Sequence, residues 1–191
     1  MLQLKTVALG PRRFPSNTVC SSMALEVQAP SRQGGLYDES THASLDCSLF
    51  TGPVPADVLA AVQSIEAQAF DSQYCTAATL LQTCGRRLIV ARRGADAIVG
   101  YLLYAQTSLA VQVEKVAVPS AFKRQGVGSA MMSCLAHSAG RRVIRLHVEK
   151  TNVAALALYT NARFTSTATR SDYYGPGEDA FVMEKEVTDQ H

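Results

Sequence analysis

The sequence predicts a single globular domain of α+β (mixed α/β) class, and three observations predict it. First, 47% of the 191 residues are hydrophobic, while 18 basic and 16 acidic side chains leave a net charge of +2. That apolar content supports a sizeable core, and the charge balance falls far short of the basic face a nucleic-acid binder needs. Second, apolar residues recur at period two and period 3.6 by turns, in the order βαα-βββ-αβ-αββ. This mixes antiparallel neighbours with helical crossovers. Third, the longest uninterrupted apolar run, Ala97–Ala105, is nine residues, too short to span a bilayer. No internal repeat is present, and neither a membrane nor a nucleic-acid partner is expected.

The elements follow in order. Residues 1–45 carry Pro11, Pro15, Pro30, Gly34 and Gly35 without a sustained period and read as a flexible extension, leaving 46–188 as the domain. Within the first 37 residues Glu26 is the one acid against Lys5, Arg12, Arg13 and Arg32. A disordered leader and an organelle transit peptide both fit that composition. Cys47–Thr51 reads as a strand, punctuated by Gly52-Pro53. Val58, Ala61, Val62, Ile65 and Ala69 then recur at helical spacing, with Pro55 suited to the first turn. A short helix over Thr76–Cys84, closed by Gly85, precedes extended runs at Arg87–Arg92, Ala97–Ala105 and Leu109–Val118. Arg93-Gly94-Ala95-Asp96 is a hairpin turn between the first two runs. A helix from Gly126 to Ala139 stops at Gly140, Val143–Glu149 is a strand, and Asn152–Asn161 is a helix. Phe164–Thr169 and Ala180–Glu186 supply the last strands.

The cysteines, Cys20, Cys47, Cys75, Cys84 and Cys134, are odd in number, without CxxC spacing or a Cys/His grouping. They read as small buried hydrophobes in a reducing, cytoplasmic compartment, with no disulfide framework and no metal site.

Chemistry concentrates in two stretches. In the first, the strand Val116-Ala117-Val118 runs into Lys123-Arg124-Gln125-Gly126-Val127-Gly128-Ser129 and a helix. Free amides at a helix start, two glycines and two cations make an anion cradle suited to phosphate or pyrophosphate. It lacks the GxxxxGK[ST] of a P-loop and the third glycine of the dinucleotide fingerprint. In the second, strand alternation sets Ile144, Leu146 and Val148 against Arg145, His147 and Glu149, so His147 is the near-neutral titrating group on a polar face. Asn152 is a natural helix cap, and Tyr159 lies two turns further along the same helix face.

These two blocks resemble the GCN5-related N-acetyltransferases (GNATs), over residues from about 46 to 188. The family's R/Q-x-x-G-x-G/A block reads here Lys123-x-x-Gly126-x-Gly128, with lysine in the first place. Its N-x-x-A-x-x-x-Y block reads Asn152-x-x-Ala155-x-x-x-Tyr159, followed by Arg163-Phe164 where the family usually has Gly-Phe. The segment Ser171-Asp172-Tyr173-Tyr174-Gly175-Pro176-Gly177-Glu178-Asp179-Ala180 is similar to a loop of the protein N-terminal acetyltransferases and the ribosomal-protein alanine acetyltransferases. Phe70-Asp71-Ser72-Gln73-Tyr74 falls where those enzymes build the pocket for a peptide's first residue.

The resemblance implies a mainly antiparallel central sheet, flanked by helices, whose strands Leu109–Val118 and Val143–Glu149 splay apart to admit acetyl-CoA. It implies that the backbone of Val116, Ala117 and Val118 holds the pantetheine arm. Amides from Arg124 to Ser129, with Lys123 beside them, would take the pyrophosphate, and Asn152 would reach the cofactor. It further implies His147 as general base, with Glu114 second since Gln112 on the same strand face cannot take a proton, and Tyr159 as the acid. Phe70, Tyr173 and Tyr174 would receive the substrate. The implied activity is acetylation of protein or peptide N-termini, with room for an auxiliary or ribosome-associated subunit. A GNAT acting on a small amine or a lysine side chain, and a non-catalytic acyl-CoA-binding subunit, are the alternatives.

Overall fold

A computed structural model of the chain describes residues 21–23, 45–70, 76–83, 85–94, 97–140 and 142–187. Its strands are β1 (Ser21–Met23), β2 (Leu45–Phe50), β3 (Arg86–Arg93), β4 (Ala97–Gln106), β5 (Ala110–Ala117), β6 (Val143–Glu149), β7 (Thr165–Gly175) and β8 (Glu178–Glu186). The helices are α1 (Ala56–Ala69), α2 (Ala77–Leu81), α3 (Val127–Ala139) and α4 (Val153–Asn161). The strands form one eight-stranded sheet in the order β1-β2-β3-β4-β5-β6-β8-β7. Every adjacent pair is antiparallel except β5–β6, which is parallel. The mixed, mainly antiparallel sheet with helices on both faces is the expected one.

Both faces of the sheet are covered because β3 and β4 are apolar on both sides. On one face Val58, Val62 and Ile65 of α1 pack against Leu88, Val90, Tyr101 and Leu103. On the other, Ala130, Met131 and Leu135 of α3 pack against Ile89, Leu102, Val113 and Ile144. Burying a side chain of this size contributes roughly 1.5–3 kcal/mol, so each layer fixes its helices firmly. Among the described residues no helix is long and apolar enough to cross a membrane.

Four details depart from the expected elements. The helix placed over Thr76–Cys84 ends at Leu81, where the Thr83 hydroxyl donates to Leu80 O at 2.6 Å and competes with the next helical turn. A short 3₁₀ turn, Ser120–Phe122, follows Pro119 and was not foreseen. The strand expected to stop at Thr169 continues to Gly175. Within the stretch read as an extension, Ser21–Met23 pairs antiparallel with Cys47–Leu49 of β2, so part of that stretch belongs to the sheet; Leu45, at its end, opens β2. Its other residues up to Ser44 lie outside the described ones, as do Ala95 and Asp96 of the expected hairpin turn and Cys20, Cys75 and Cys84. Cys47 and Cys134 are buried and free.

Candidate active site

The sheet opens in its middle. β5 and β6 pair through Ala110–Val143, Val111–Ile144 and Gln112–Arg145 and through no later residue. Each strand nevertheless continues along its outer neighbour, β5 to Ala117 opposite Tyr101 and β6 to Glu149 opposite Ala180. A wedge therefore separates Val113–Ala117 from Leu146–Glu149. Backbone groups on the inner edge of β5 are left off the ladder, where an extended ligand could bond to them. The splay expected of these two strands is present.

The anion cradle stands at one mouth of the wedge. Arg124 and Gly126 both adopt positive φ, 64° and 80°, so the chain turns sharply into α3 through conformations that favour anion-binding concavities. The glycine at 126 is the one of the two suited to this geometry. Ala130 N is bonded to Gly126 O at 2.9 Å, closing the first turn of α3. The amides of Val127, Gly128 and Ser129 thus belong to the open first turn of the helix. Gly128 has a separate reason to be glycine: a Cβ there would meet Leu158 Cδ2 at 3.0 Å. α3 and α4 approach closely at that point.

Between these helices and β5 lies a cavity of about 420 Å³. Val116, Ala117 and Val118 form its strand wall, Phe122, Lys123 and Arg124 its turn, and Gly126 to Ser129 its helical end. α4 closes it with Ala154, Ala155, Ala157 and Leu158, and Ala69 of α1 reaches it from the far side. The apolar walls with cations and free amides at one end fit a molecule with a slender, largely apolar arm and a pyrophosphate. The α4 wall and Ala69 were missed from the sequence, where small alanines carry no signal of their own.

The other face of the wedge is aromatic. His147 is only 5% exposed, and neither ring nitrogen has a hydrogen-bond partner. The Tyr173 ring stacks on it, centroids 4.5 Å apart and planes inclined by 15°. Burial, and then the Arg170 and Arg145 guanidiniums, push the imidazole down to about 4. This corrects the expectation of a near-neutral titrating group on a polar strand face: His147 is buried and neutral throughout the physiological range. Tyr173 and Tyr174 also break simple alternation, since their rings meet edge-on at 4.9 Å and 86°. The cause is a positive φ of 52° at Asp172 together with a register shift between Arg170 and Gly175. The Asp172 carboxylate accepts from Gly177 N at 2.6 Å, and Asp179 accepts from Asp172 N at 3.1 Å and Lys150 Nζ at 2.9 Å.

Other expected site residues fare differently. Tyr159 is 1% exposed and packed against Phe164 in the α3–α4 core; it does not itself line the cavity, although Leu158 and Asn161 of the same helix do. Burial alone holds its phenol well above the usual range. The Gln125 side chain accepts from Arg93 Nη1 at 2.6 Å and donates to Ala121 O at 2.7 Å, so it is directed at β3 and the preceding turn rather than at the cavity. Asn152 Oδ1 caps α4 by accepting from Ala155 N at 3.1 Å, and the residue does not line the cavity. Glu114 accepts from Arg86 Nε at 2.8 Å and is buried in that ion pair. Phe70 caps α1 beside Ala69, and Asp71–Tyr74 lie outside the described residues. Among the described residues no group of His, Cys, Asp and Glu is arranged to hold a metal ion.

Known proteins share this fold. A Caenorhabditis elegans N-alpha-acetyltransferase, daf-31, is 31% identical over 80 residues, 39% of this chain and 44% of that protein. The chain spans less than half the length of the curated relatives it matches. The crystal structure of the ribosomal-protein-S18-alanine N-acetyltransferase from Escherichia coli superposes with a TM-score of 0.63 at 20% identity, over 76% of this chain and 96% of that one. An aminoglycoside 6'-N-acetyltransferase complexed with coenzyme A gives a TM-score of 0.63 at 10% identity, over 75% of this chain and 98% of that one. At these identities the superpositions speak for the fold. The family model described as "Acetyltransferase (GNAT) family" matches residues 59–164, more than half of the chain, and the chain therefore belongs to that family.

Proposed function

We propose that the chain transfers an acetyl group from acetyl-CoA to the free α-amino group of a protein N-terminus. The observation that carries this reading is the two-sided wedge between β5 and β6. Its α3 side offers a cavity with an anion cradle, and its other side offers the buried, neutral His147 under Tyr173. Names of relatives, an N-alpha-acetyltransferase and a ribosomal-protein alanine acetyltransferase, support the choice of amine.

Acetyl-CoA would supply an activated thioester. Val116–Val118 would align its arm by strand-like backbone bonds, and the α3 amides with Lys123 and Arg124 would neutralise the pyrophosphate. A backbone N–H near Val118 would polarise the carbonyl. The incoming amine has a pKa of about 8, against about 10.4 for a lysine, so the proton to be lost is a weakly held one. The environment that depresses His147 acts on the amine as well: desolvation and two guanidiniums disfavour an ammonium beside it. The free lone pair of His147 would then accept an N–H from the neutral amine, directly or through water, and aim it into the wedge. Glu114, held by Arg86, is less available for this task. As the C–N bond forms and the C–S bond breaks, the surplus proton on nitrogen would pass to water. The sulfur would leave as a thiolate, to which Tyr159, keeping its own proton at every working pH, would donate a hydrogen bond.

Turnover with a panel of unblocked peptides, N-blocked peptides carrying lysine, and small amines tests the proposal. Faster acetylation of unblocked peptides supports it. Preference for a small amine or lysine, or acetyl-CoA binding without turnover on any amine, overturns it.

A further inference from the structure

A buried charge pair on the α1–α2 side of the sheet plays no part in the chemistry above. Lys115 Nζ donates to Glu66 Oε1 at 2.6 Å, and the two side chains are 3% and 9% exposed. The same carboxylate accepts from the N–H of Ala77, 2.9 Å to each oxygen. One group thus ties β5 to the last turns of α1 and the first residue of α2. Phe70, which ends α1, holds its ring centroid 4.9 Å from Lys115 Nζ. Strict alternation from Val113 would direct Lys115 to the α3 face of β5. A bulge prevents this: Leu103 pairs with Lys115 and Tyr104 with Val113, leaving Glu114 as an extra residue. Such a bulge re-aims the side chains beside it.

A buried ion pair is weak ground for stability, because well-packed apolar residues often serve as well. What this one supplies is position. Val116 and Ala117, which follow Lys115, and Ala69, which precedes Phe70, all line the cofactor cavity. The pair thus joins the strand whose next residues line the cavity to the helix end that carries Phe70. We infer that Lys115 and Glu66 are positioning residues that set Phe70, at the end of α1, against β5, and so select the first residue of the substrate. This rests on the reading of Phe70 as part of the amine-side wall.

The test uses the full chain with Lys115→Met, Lys115→Arg, Glu66→Gln and the double variant Lys115→Met/Glu66→Gln. The double variant strands no buried charge and keeps an acceptor for Ala77, so it serves where a single variant does not fold. Acetyl-CoA affinity is read by calorimetry, and kcat and KM on peptides differing in their first residue. In the double variant peptide KM should rise about tenfold, the scale of losing one well-fitted side-chain contact, and the preference among first residues should flatten. Acetyl-CoA affinity should stay within about twofold, as uniform loss of cofactor binding is not expected. Lys115→Arg should restore the preference. Unchanged KM and preference, a parallel loss of acetyl-CoA affinity, or no rescue by arginine would overturn the inference. Phe70→Ala separates the two claims. If it leaves peptide KM unchanged, the reading of Phe70 fails, and the inference with it. If it raises KM while the double variant does not, only the positioning role fails.

Discussion

His147 and Tyr173 stack face to face, ring centroids 4.5 Å apart, although they come from strands that are not neighbours. β8 lies between β6 and β7, so the end of β7 must lean over it. The positive φ at Asp172 and the register shift before Gly175 give it that path. One consequence is that a histidine on a nominally polar strand face is buried without a hydrogen bond, and its ionisation becomes part of the folding equilibrium.

That burial has a definite pH signature. With a folded value of about 4 and an unfolded one of about 6.5, His147 is neutral in both states above neutrality and contributes nothing there. Below pH 6.5 the unfolded chain takes up a proton that the folded chain refuses, so stability falls with acid until the folded value is reached. The loss is about 2 kcal/mol at pH 5. Chemical denaturation of the wild type and His147→Gln at pH 7 and 5 measures it. The variant should lose less stability between the two, and equal losses would mean that His147 titrates normally when folded.

On the kinetic side, His147→Ala should lower kcat by about 10²-fold, the low end for a positioned acid–base group, because so weak a base acts more by aiming the amine. The acidic limb of the kcat/KM profile should stay near about pH 8 in both proteins, since it reports the free amine before binding.

Tyr173→Ala removes the cover of His147 and one wall of the amine site. Peptide KM should rise well before acetyl-CoA binding changes, while Tyr173→Phe, which keeps the stacked ring, should leave KM close to wild type. Initial rates with each substrate varied in turn decide this.

In the cradle, Gly126→Glu combines an unfavourable backbone conformation with a negative charge where an anion should sit. Acetyl-CoA binding should be lost by calorimetry. Gly128→Ala acts by a different route, pressing on Leu158, and should weaken binding less while lowering the melting temperature.

Tyr159→Phe keeps the ring against Phe164 and removes only the hydroxyl, so the melting temperature should hold. Because a thiol of pKa about 8.5 leaves more readily than a phenol releases its proton, the loss in kcat should be smaller than for His147→Ala. Parallel kcat measurements across pH check the order.

Much of this was legible in the sequence. The bounds of β6 follow from Val143–Glu149 alternation and those of α4 from the Asn152 cap. The cradle was legible because glycines at 126 and 128 sit between a strand and a helix. What escaped reading were backbone conformations adopted by ordinary residues. Arg124 and Asp172 take positive φ without being glycine, and the bulge at Glu114 leaves no compositional trace. Each of these redirects side chains: Arg124 into the cradle turn, Tyr173 onto His147, and Lys115 onto Glu66. The burial of His147 escaped for a related reason, since the covering ring lies 26 residues away in sequence and reaches it only through the lean of β7.

The central claim is that the wedge presents an α-amine, rather than any accessible amine, to the acetyl group. A single peptide carrying both a free N-terminus and an internal lysine tests this most directly, with the acetylated position located by fragment-ion mass spectrometry after partial turnover with acetyl-CoA. The account predicts acetyl on the N-terminal nitrogen with the lysine left free. Acetyl on the lysine in equal or greater amount would contradict it.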